Sequence, residues 1–161
     1  MSGIQMRNPE ISREHGDLLV EKMAEKDINQ VHLIEQVSFS DPWSKKSFLE
    51  DLGNPLALPL VVKLKDKVVG YACLWQIERE LQIGNIAVMK EHRREGLGKL
   101  LMEQIVEQAR ARGCKSISLD VRESNKAAVE LYEKFGFAVL SRRKDYYRLP
   151  KEDALVMFKA L

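Results

Sequence analysis

The chain has 161 residues, 45% hydrophobic and 31% charged, a size and balance that fit one globular domain with a sizeable core. A net charge of +2, with no basic stripe interleaved with aromatics, argues against nucleic acid as a partner. No apolar run approaches the ~18 residues of a membrane span, and the first residues lack the apolar centre of a secretory signal, so no membrane partner and a cytoplasmic location are expected.

Residues 1–16 are polar and aperiodic and are expected to form a flexible arm, leaving 17–161 as a single domain that no Pro/Gly/Ser linker divides. Asp17–Met23 reads as a first strand. Asp27 is placed to cap a helix through Ile28, Val31, Leu33, Ile34 and Val37. Asp41-Pro42-Trp43-Ser44 is a turn, after which Ser44 is expected to cap a second helix through Phe48, Leu49 and Leu52, ended by Gly53 and Pro55. Leu58–Leu64 and Val68–Ile77 are apolar, β-branched runs joined by Lys65-Asp66-Lys67, which predicts a hairpin.

In the next strand, Leu81 and Ile83 put apolar side chains at odd positions, whereas Ile86 and Val88 put them at even ones. The parity flips across Gly84-Asn85, as it does where one extra residue is inserted as a bulge. A bulge interrupts ladder pairing and leaves backbone groups to bond something else. A strand buried on both faces would show the same pattern without a bulge.

Ile86-Ala87-Val88, a short polar turn and Arg93-Arg94-Glu95-Gly96-Leu97-Gly98-Lys99 read as strand, turn and helix start. The first turn of a helix has unsatisfied N–H donors and a partial positive charge, so anions settle there. Gly96 and Gly98 remove the Cβ atoms that would keep a phosphate off the backbone, and Arg93, Arg94 and Lys99 add charge. An ordinary strand-to-helix turn with a solvated basic rim has the same spacing. A Walker A loop is excluded because Leu100 follows Lys99, and the dinucleotide fingerprint because position 101 is Leu rather than Gly.

From Leu97 the ladder Leu97, Leu101, Ile105, Ala109 forms an apolar face beside Met102 and Val106, with Lys99, Glu103, Glu107 and Arg110 on the wet side and Gly113 at the end. Lys115–Val121 alternates as a strand, and Asn125 is placed to cap a short helix ending at Gly136. Phe137–Leu140, the segment around Tyr146-Tyr147, and Ala154–Phe158 complete the sheet. The order β-α-α-β-β-β-α-β-α-β-β predicts an α/β fold, a mixed sheet with helices on both faces.

Asn125 and Tyr132 are two helical turns apart, on one face and ~10 Å apart along the axis, so a linear thiol-bearing arm can lie along them. A phenol is suited to protonating a leaving thiolate. Tyr132 also fits as a core aromatic beside Leu131 and Phe135, and Asn125 as a cap alone. Asp120 ends its strand on the polar face, where it can take a proton directly or through water, or simply be a hydrogen-bonded carboxylate. Cys73 and Cys114 form no CxxC and have no His cluster, so they are expected as buried free thiols, with no metal site. His15 and His32 have no catalytic partner, and His92 is expected to be solvated beside the glycine turn.

Ile86–Val88, Arg93–Lys99, Leu119-Asp120-Val121-Arg122-Glu123-Ser124-Asn125 and Leu131-Tyr132-Glu133-Lys134-Phe135-Gly136-Phe137 together resemble the GNAT family of N-acetyltransferases. Pro42-Trp43-Ser44 with Ser47-Phe48, Arg142-Arg143 with Tyr146-Tyr147, and Glu152-Asp153-Ala154 with Met157 are most similar to its bacterial branch acting on the N-terminal alanine of ribosomal proteins. The likeness covers roughly residues 17 to 161.

The resemblance implies the acyl-CoA N-acyltransferase fold and acetyl-CoA as cosubstrate. Ile86, Ala87 and Val88 would bond the pantetheine by backbone, Arg94, Glu95, Gly96, Leu97, Gly98 and Lys99 would wrap the pyrophosphate, and Asn125 would hold the pantetheine arm. Tyr132 would be the proton donor. Asp120 stands where the branch carries Glu as base; it is one methylene shorter, which favours a water relay. The implied activity is direct acetyl transfer to the N-terminal α-amine of a protein, a small-subunit ribosomal protein being the expected partner. The rival readings are a lysine or small-amine acetyltransferase of the same family and a non-catalytic CoA-binding subunit. Nothing in the pattern fixes an oligomeric state.

Overall fold

The structure, a computed structural model, describes residues 18–161, so the arm expected over 1–16 lies outside the described residues. In chain order the elements are β1 (Leu18–Lys22), α1 (Ile28–Ser38), α2 (Lys45–Leu52), β2 (Ala57–Leu64), β3 (Lys67–Ile77), β4 (Glu80–Val88), α3 (Leu97–Ala111), β5 (Ser116–Arg122), α4 (Lys126–Lys134), β6 (Ala138–Arg148) and β7 (Lys151–Ala160). That is the predicted order. The strands form one seven-stranded sheet, β1-β2-β3-β4-β5-β7-β6. Every neighbouring pair is antiparallel except β4 with β5, which run parallel, so the sheet is mixed.

Local chemistry accounts for much of this. Lys65 and Asp66 sit at φ 50° and 70°, the two left-handed residues of a tight hairpin turn, and set Leu64 opposite Lys67. The continuous apolar run of β2 is buried from Leu58 to Lys63 because helices cover both faces of the sheet. On one face α3 packs Leu97, Leu101, Met102, Ile105 and Ala109 onto Leu60, Val62, Leu74 and Leu81, with Tyr132 and Phe137 in the same cluster. On the other, Ile28, Val31 and Ile34 of α1 and Phe48 of α2 pack onto Val61, Val68, Tyr71, Cys73 and Ala87. Each fully buried Leu, Ile or Met contributes roughly 1.5–3 kcal/mol of transfer free energy.

Three expectations are corrected. Asp27 does not cap α1. Its residue is already helical, and its buried carboxylate turns back to accept the Ala24 N–H at 2.8 Å and to pair with Lys63 Nζ at 2.9 Å. A charge from β2 outcompetes the helix N–H groups, because a buried carboxylate without a cation is costly. Leu33 and Val37 are not core residues: they are 63% and 72% exposed, since the stripe that meets the sheet runs through Ile28, Val31, Ile34 and Glu35. Finally, Leu140 and Tyr146-Tyr147 belong to a single strand. β6 runs unbroken in sequence, with register shifts between Val139 and Ser141 and between Arg143 and Tyr147. At the second shift Asp145 takes φ 53°, and its N–H donates to Asp153 Oδ1 at 2.8 Å. β6 is the sheet edge, where bulges and charges block further pairing.

Candidate active site

The predicted bulge is present in β4. Cys73 faces Asn85 and Leu74 faces Ile83, which leaves Gly84 as the inserted residue. Only glycine fits there: a Cβ at position 84 would lie 2.3 Å from the Trp75 ring. The Asn85 amide donates to both carboxylate oxygens of Glu35, at 3.0 and 2.8 Å.

Beyond the bulge the sheet opens. β4 pairs with β5 only from Glu80–Ile83 to Ser116–Leu119. Asn85–Val88 then remain with β3, while Asp120–Arg122 remain with β7. The two strands part, and the β5-facing edge of Ile86, Ala87 and Val88 has no partner strand among the described residues. A wedge of this kind in mid-sheet presents backbone donors and acceptors to a linear ligand.

At the end of the wedge the chain turns into α3 through Arg94 at φ 65° and Gly96 at φ 82°. Left-handed residues in such a turn point successive N–H groups into one concavity, a form that binds anions. Ser44 caps α2 through the Ser47 N–H at 3.1 Å and Asn125 caps α4 through the Ala128 N–H at 3.2 Å, both as predicted. The start of α3, by contrast, has no side-chain cap. Its partial positive charge and its first N–H groups therefore have no capping side chain, and an anion could satisfy them. Arg93 does not join this cradle. Its guanidinium donates to the Val88 carbonyl at 3.2 Å and the Ser38 hydroxyl at 3.4 Å, tying the end of β4 to α1. His92 is half-buried rather than solvated, with Nδ1 3.0 Å from Glu95 Oε1.

Across the wedge, Tyr132 is buried with its ring 5.8 Å from Phe137. Burial, and then the neighbouring Tyr147, push its phenol well above the usual tyrosine range. Tyr147 is itself pushed up to about 12, first by burial and then by the Asp120 carboxylate. Tyr147 is therefore the electrostatic neighbour of both Asp120 and Tyr132. Asp120 Oδ1 lies 3.4 Å from Arg143 Nε. Asn125 uses Oδ1 for the cap, which leaves its amide nitrogen as the end that can donate to a ligand.

The surroundings of Tyr147 are held by residues that the sequence reading named only within the patches of the resemblance, Arg122 and Glu152, together with Ser40 and the Leu149-Pro150 turn, which it did not name. The Arg122 guanidinium lies 4.2 Å from the Tyr147 ring centroid and donates to the carbonyls of Pro150 at 2.8 Å and Leu149 at 3.0 Å. It also meets Glu152 Oε1 at 3.2 Å and the Ser40 hydroxyl at 3.5 Å, and that hydroxyl bonds the Leu149 carbonyl. The loop between α1 and α2 thus touches the turn between β6 and β7. Glu152 accepts the Ser124 N–H at 2.6 Å, and the Ser124 hydroxyl, then this N–H, then Arg122 hold its carboxyl below the ordinary range. Trp43, in the loop before α2, is stacked on Trp75 at 5.7 Å and tilted against Phe48 at 5.3 Å, and its backbone N–H donates to Glu35 at 2.9 Å.

Cys73 and Cys114 are buried free thiols, and burial raises both above the usual range. Among the described residues no group of three or more His, Cys, Asp or Glu is placed to hold a metal, and no helix is long and apolar enough to cross a membrane.

A model of the acetyltransferase (GNAT) family matches residues 28–137. A Bacillus subtilis (strain 168) protein, provisionally named as a ribosomal protein bS18-alanine N-acetyltransferase, is 40% identical over 140 residues, covering 86% of this chain and 93% of its own. The ribosomal protein bS18-alanine N-acetyltransferase of Escherichia coli (strain K12) is 34% identical over 133 residues, 81% of this chain and 89% of its own. The crystal structure of the ribosomal-protein-S18-alanine N-acetyltransferase from Escherichia coli superposes with a TM-score of 0.83 at 30% identity, over 89% of this chain and 93% of that one. The matched segment runs from α1 through the bulge and the left-handed turn to the end of α4. With the wedge, the uncapped helix and the acid and phenols around it inside that segment or beside it, the chain belongs to the acetyltransferase (GNAT) family.

Proposed function

We propose that this chain transfers acetyl from acetyl-CoA to the N-terminal α-amine of a protein, namely the alanine terminus of a small-subunit ribosomal protein, the kind of substrate its relatives are named for. The observation that carries the reading is the parting of β4 from β5, which leaves one strand edge running from the bulge to an uncapped helix start. The fit to the cosubstrate rests on this chain's own groups. Ile86, Ala87 and Val88 offer backbone to a pantetheine, and the turn Arg94–Lys99 offers N–H groups and charge to a pyrophosphate. The Asn125 amide is a further donor along the arm.

Acetyl-CoA supplies a thioester carbonyl for the amine to attack. Asp120, on the polar face of β5, accepts the amine's proton directly or through water. Tyr132, kept protonated by burial, gives its proton to the departing sulfur. No acyl-enzyme is invoked: both thiols are buried and their thiolates disfavoured, which removes the obvious nucleophiles.

Only a neutral amine attacks a thioester. An α-amine with pKa near ~8 is about a tenth neutral at pH 7, whereas a lysine with pKa ~10.4 is neutral in about one part in a few thousand. The loop with Ser40 and Trp43 and the strand with Tyr146-Tyr147 line two sides of the acceptor approach, a groove suited to an extended N-terminus with a small first residue. A peptide beginning with Ala, from the matching ribosomal protein, is expected to be acetylated at its N-terminus. The same peptide with a blocked terminus and a free lysine is expected to react far more slowly. Mass spectrometry that finds acetyl on the lysine at a comparable rate would overturn the assignment.

The role of Asp120 is tested by pH. Asp120→Asn should depress the rate mainly near neutrality and recover partly as pH rises, because the amine then loses its proton unaided. Asp120→Glu should remain active, since it supplies the same carboxylate on a longer arm. A pH–rate profile for the Asn variant identical to wild type would remove Asp120 from the chemistry.

A further inference from the structure

Glu35 is 1% exposed, and among the described residues its carboxylate accepts four hydrogen bonds, all from neutral groups on three other segments: the Tyr71 hydroxyl of β3, the Asn85 amide at the bulge of β4, which donates to both oxygens, and the Trp43 backbone N–H in the loop before α2. A buried carboxylate is costly even when hydrogen-bonded, and an apolar side chain would pack α1 onto the sheet more cheaply. What a carboxylate does that an apolar group cannot is hold several donors from different segments at fixed positions at once. The segments it joins are not equivalent. Asn85 immediately precedes Ile86, the start of the unpaired edge, while Trp43 lies in the loop proposed above as one wall of the acceptor approach. The second bulge residue is held from the same side, because Gly84 lies under Trp75 and Trp75 is stacked on Trp43. Both residues of the bulge are therefore positioned by the block that forms the acceptor wall.

We infer that Glu35 is a positioning residue that locks the cosubstrate edge at Asn85–Ile86 to the acceptor wall at Trp43, so that it governs binding on both sides of the site without touching either ligand. This rests on reading Ile86–Val88 as the cosubstrate edge. Glu35→Gln places an amide NH2 against the Asn85 amide, and Asn85→Asp places a carboxylate against Glu35; the two together restore an amide facing a carboxylate.

The test uses the full chain, with CoA affinity measured by calorimetry, KM and kcat measured on the alanine peptide, and thermal melting as a control. Each single variant is expected to weaken CoA binding and raise peptide KM by about tenfold, with a much smaller change in kcat, the size of one lost charged hydrogen bond. The double variant is expected to recover to within about threefold of wild type. Singles that bind CoA like wild type while melting earlier would reduce Glu35 to a packing role, and losses that simply add in the double variant would also overturn the coupling. If either single variant fails to fold, Asn85→Ala, which leaves the Tyr71 and Trp43 bonds in place, must still weaken CoA binding. Wild-type chain that binds CoA but ignores the alanine peptide would count against the proposed substrate alone, since the calorimetric arm needs no acceptor.

Discussion

Tyr132→Phe is expected to lower kcat by about 10²–10⁴-fold while the affinity for acetyl-CoA changes little. The substitution removes one oxygen and keeps the ring, whose packing 5.8 Å from Phe137 in the α3–α4 core is unaffected by the loss. A stability change well under that of a cavity-forming substitution is therefore expected, which separates chemistry from folding. The proton on the phenol matters as the thiolate leaves, so its loss belongs to the transition state rather than to the ground state. Burial raises the phenol well above the usual tyrosine range. The group is thus fully protonated at any physiological pH, and no alkaline fall in rate below pH ~10 should come from its ionisation. Turnover by the Phe variant at the parental rate would leave Tyr132 with packing alone.

Gly96→Asp is expected to weaken acetyl-CoA binding by roughly 100-fold. Gly96 sits at φ 82°, where an L side chain costs about 1–2 kcal/mol, a cost that enters the affinity because the free turn relaxes out of the binding conformation. The new carboxylate would also occupy the anion concavity at the start of α3, cancelling an interaction worth up to about 2 kcal/mol. Together these approach 3 kcal/mol, or two powers of ten in affinity. Gly96→Ala carries the strain without the charge and should fall between the variant and wild type. Arg93→Ala should cost less than about fivefold, because that guanidinium is engaged with Val88 and Ser38 rather than aimed into the turn. Calorimetric titration of the three variants ranks them, and equal affinities for Gly96→Asp and Arg93→Ala would remove the cradle.

Much of the architecture was legible because its causes are local. A period of two or of 3.6 residues marked nearly every element, and a parity flip marked the bulge, since one inserted residue must reverse every side chain beyond it. Ser44 and Asn125 cap their helices because a short polar side chain reaches its own next turn whatever the rest of the chain does. The glycine turn into α3 was legible for the same reason, as backbone geometry there depends on a few consecutive residues.

What only the tertiary structure decided is which groups meet across the sheet. Glu35 reads as one more polar residue of an amphipathic helix, although its place after Ile28 and Val31 on the apolar stripe was a visible signal; its partners Tyr71 and Asn85 lie 36 and 50 residues away. The same rotation of α1 that buries Glu35 exposes Leu33 and Val37, a choice between two apolar faces that composition does not make. Asp27 preferred Lys63 on β2 to its own helix, and Arg93 preferred α1 and the end of β4 to the glycine turn. The parting of β4 from β5, on which the proposed chemistry depends, follows from each strand keeping a different antiparallel partner. Local sequence determines how each segment can be shaped; the competition for a limited number of buried charges, donors and strand edges, settled only when all segments pack together, determines where the site is.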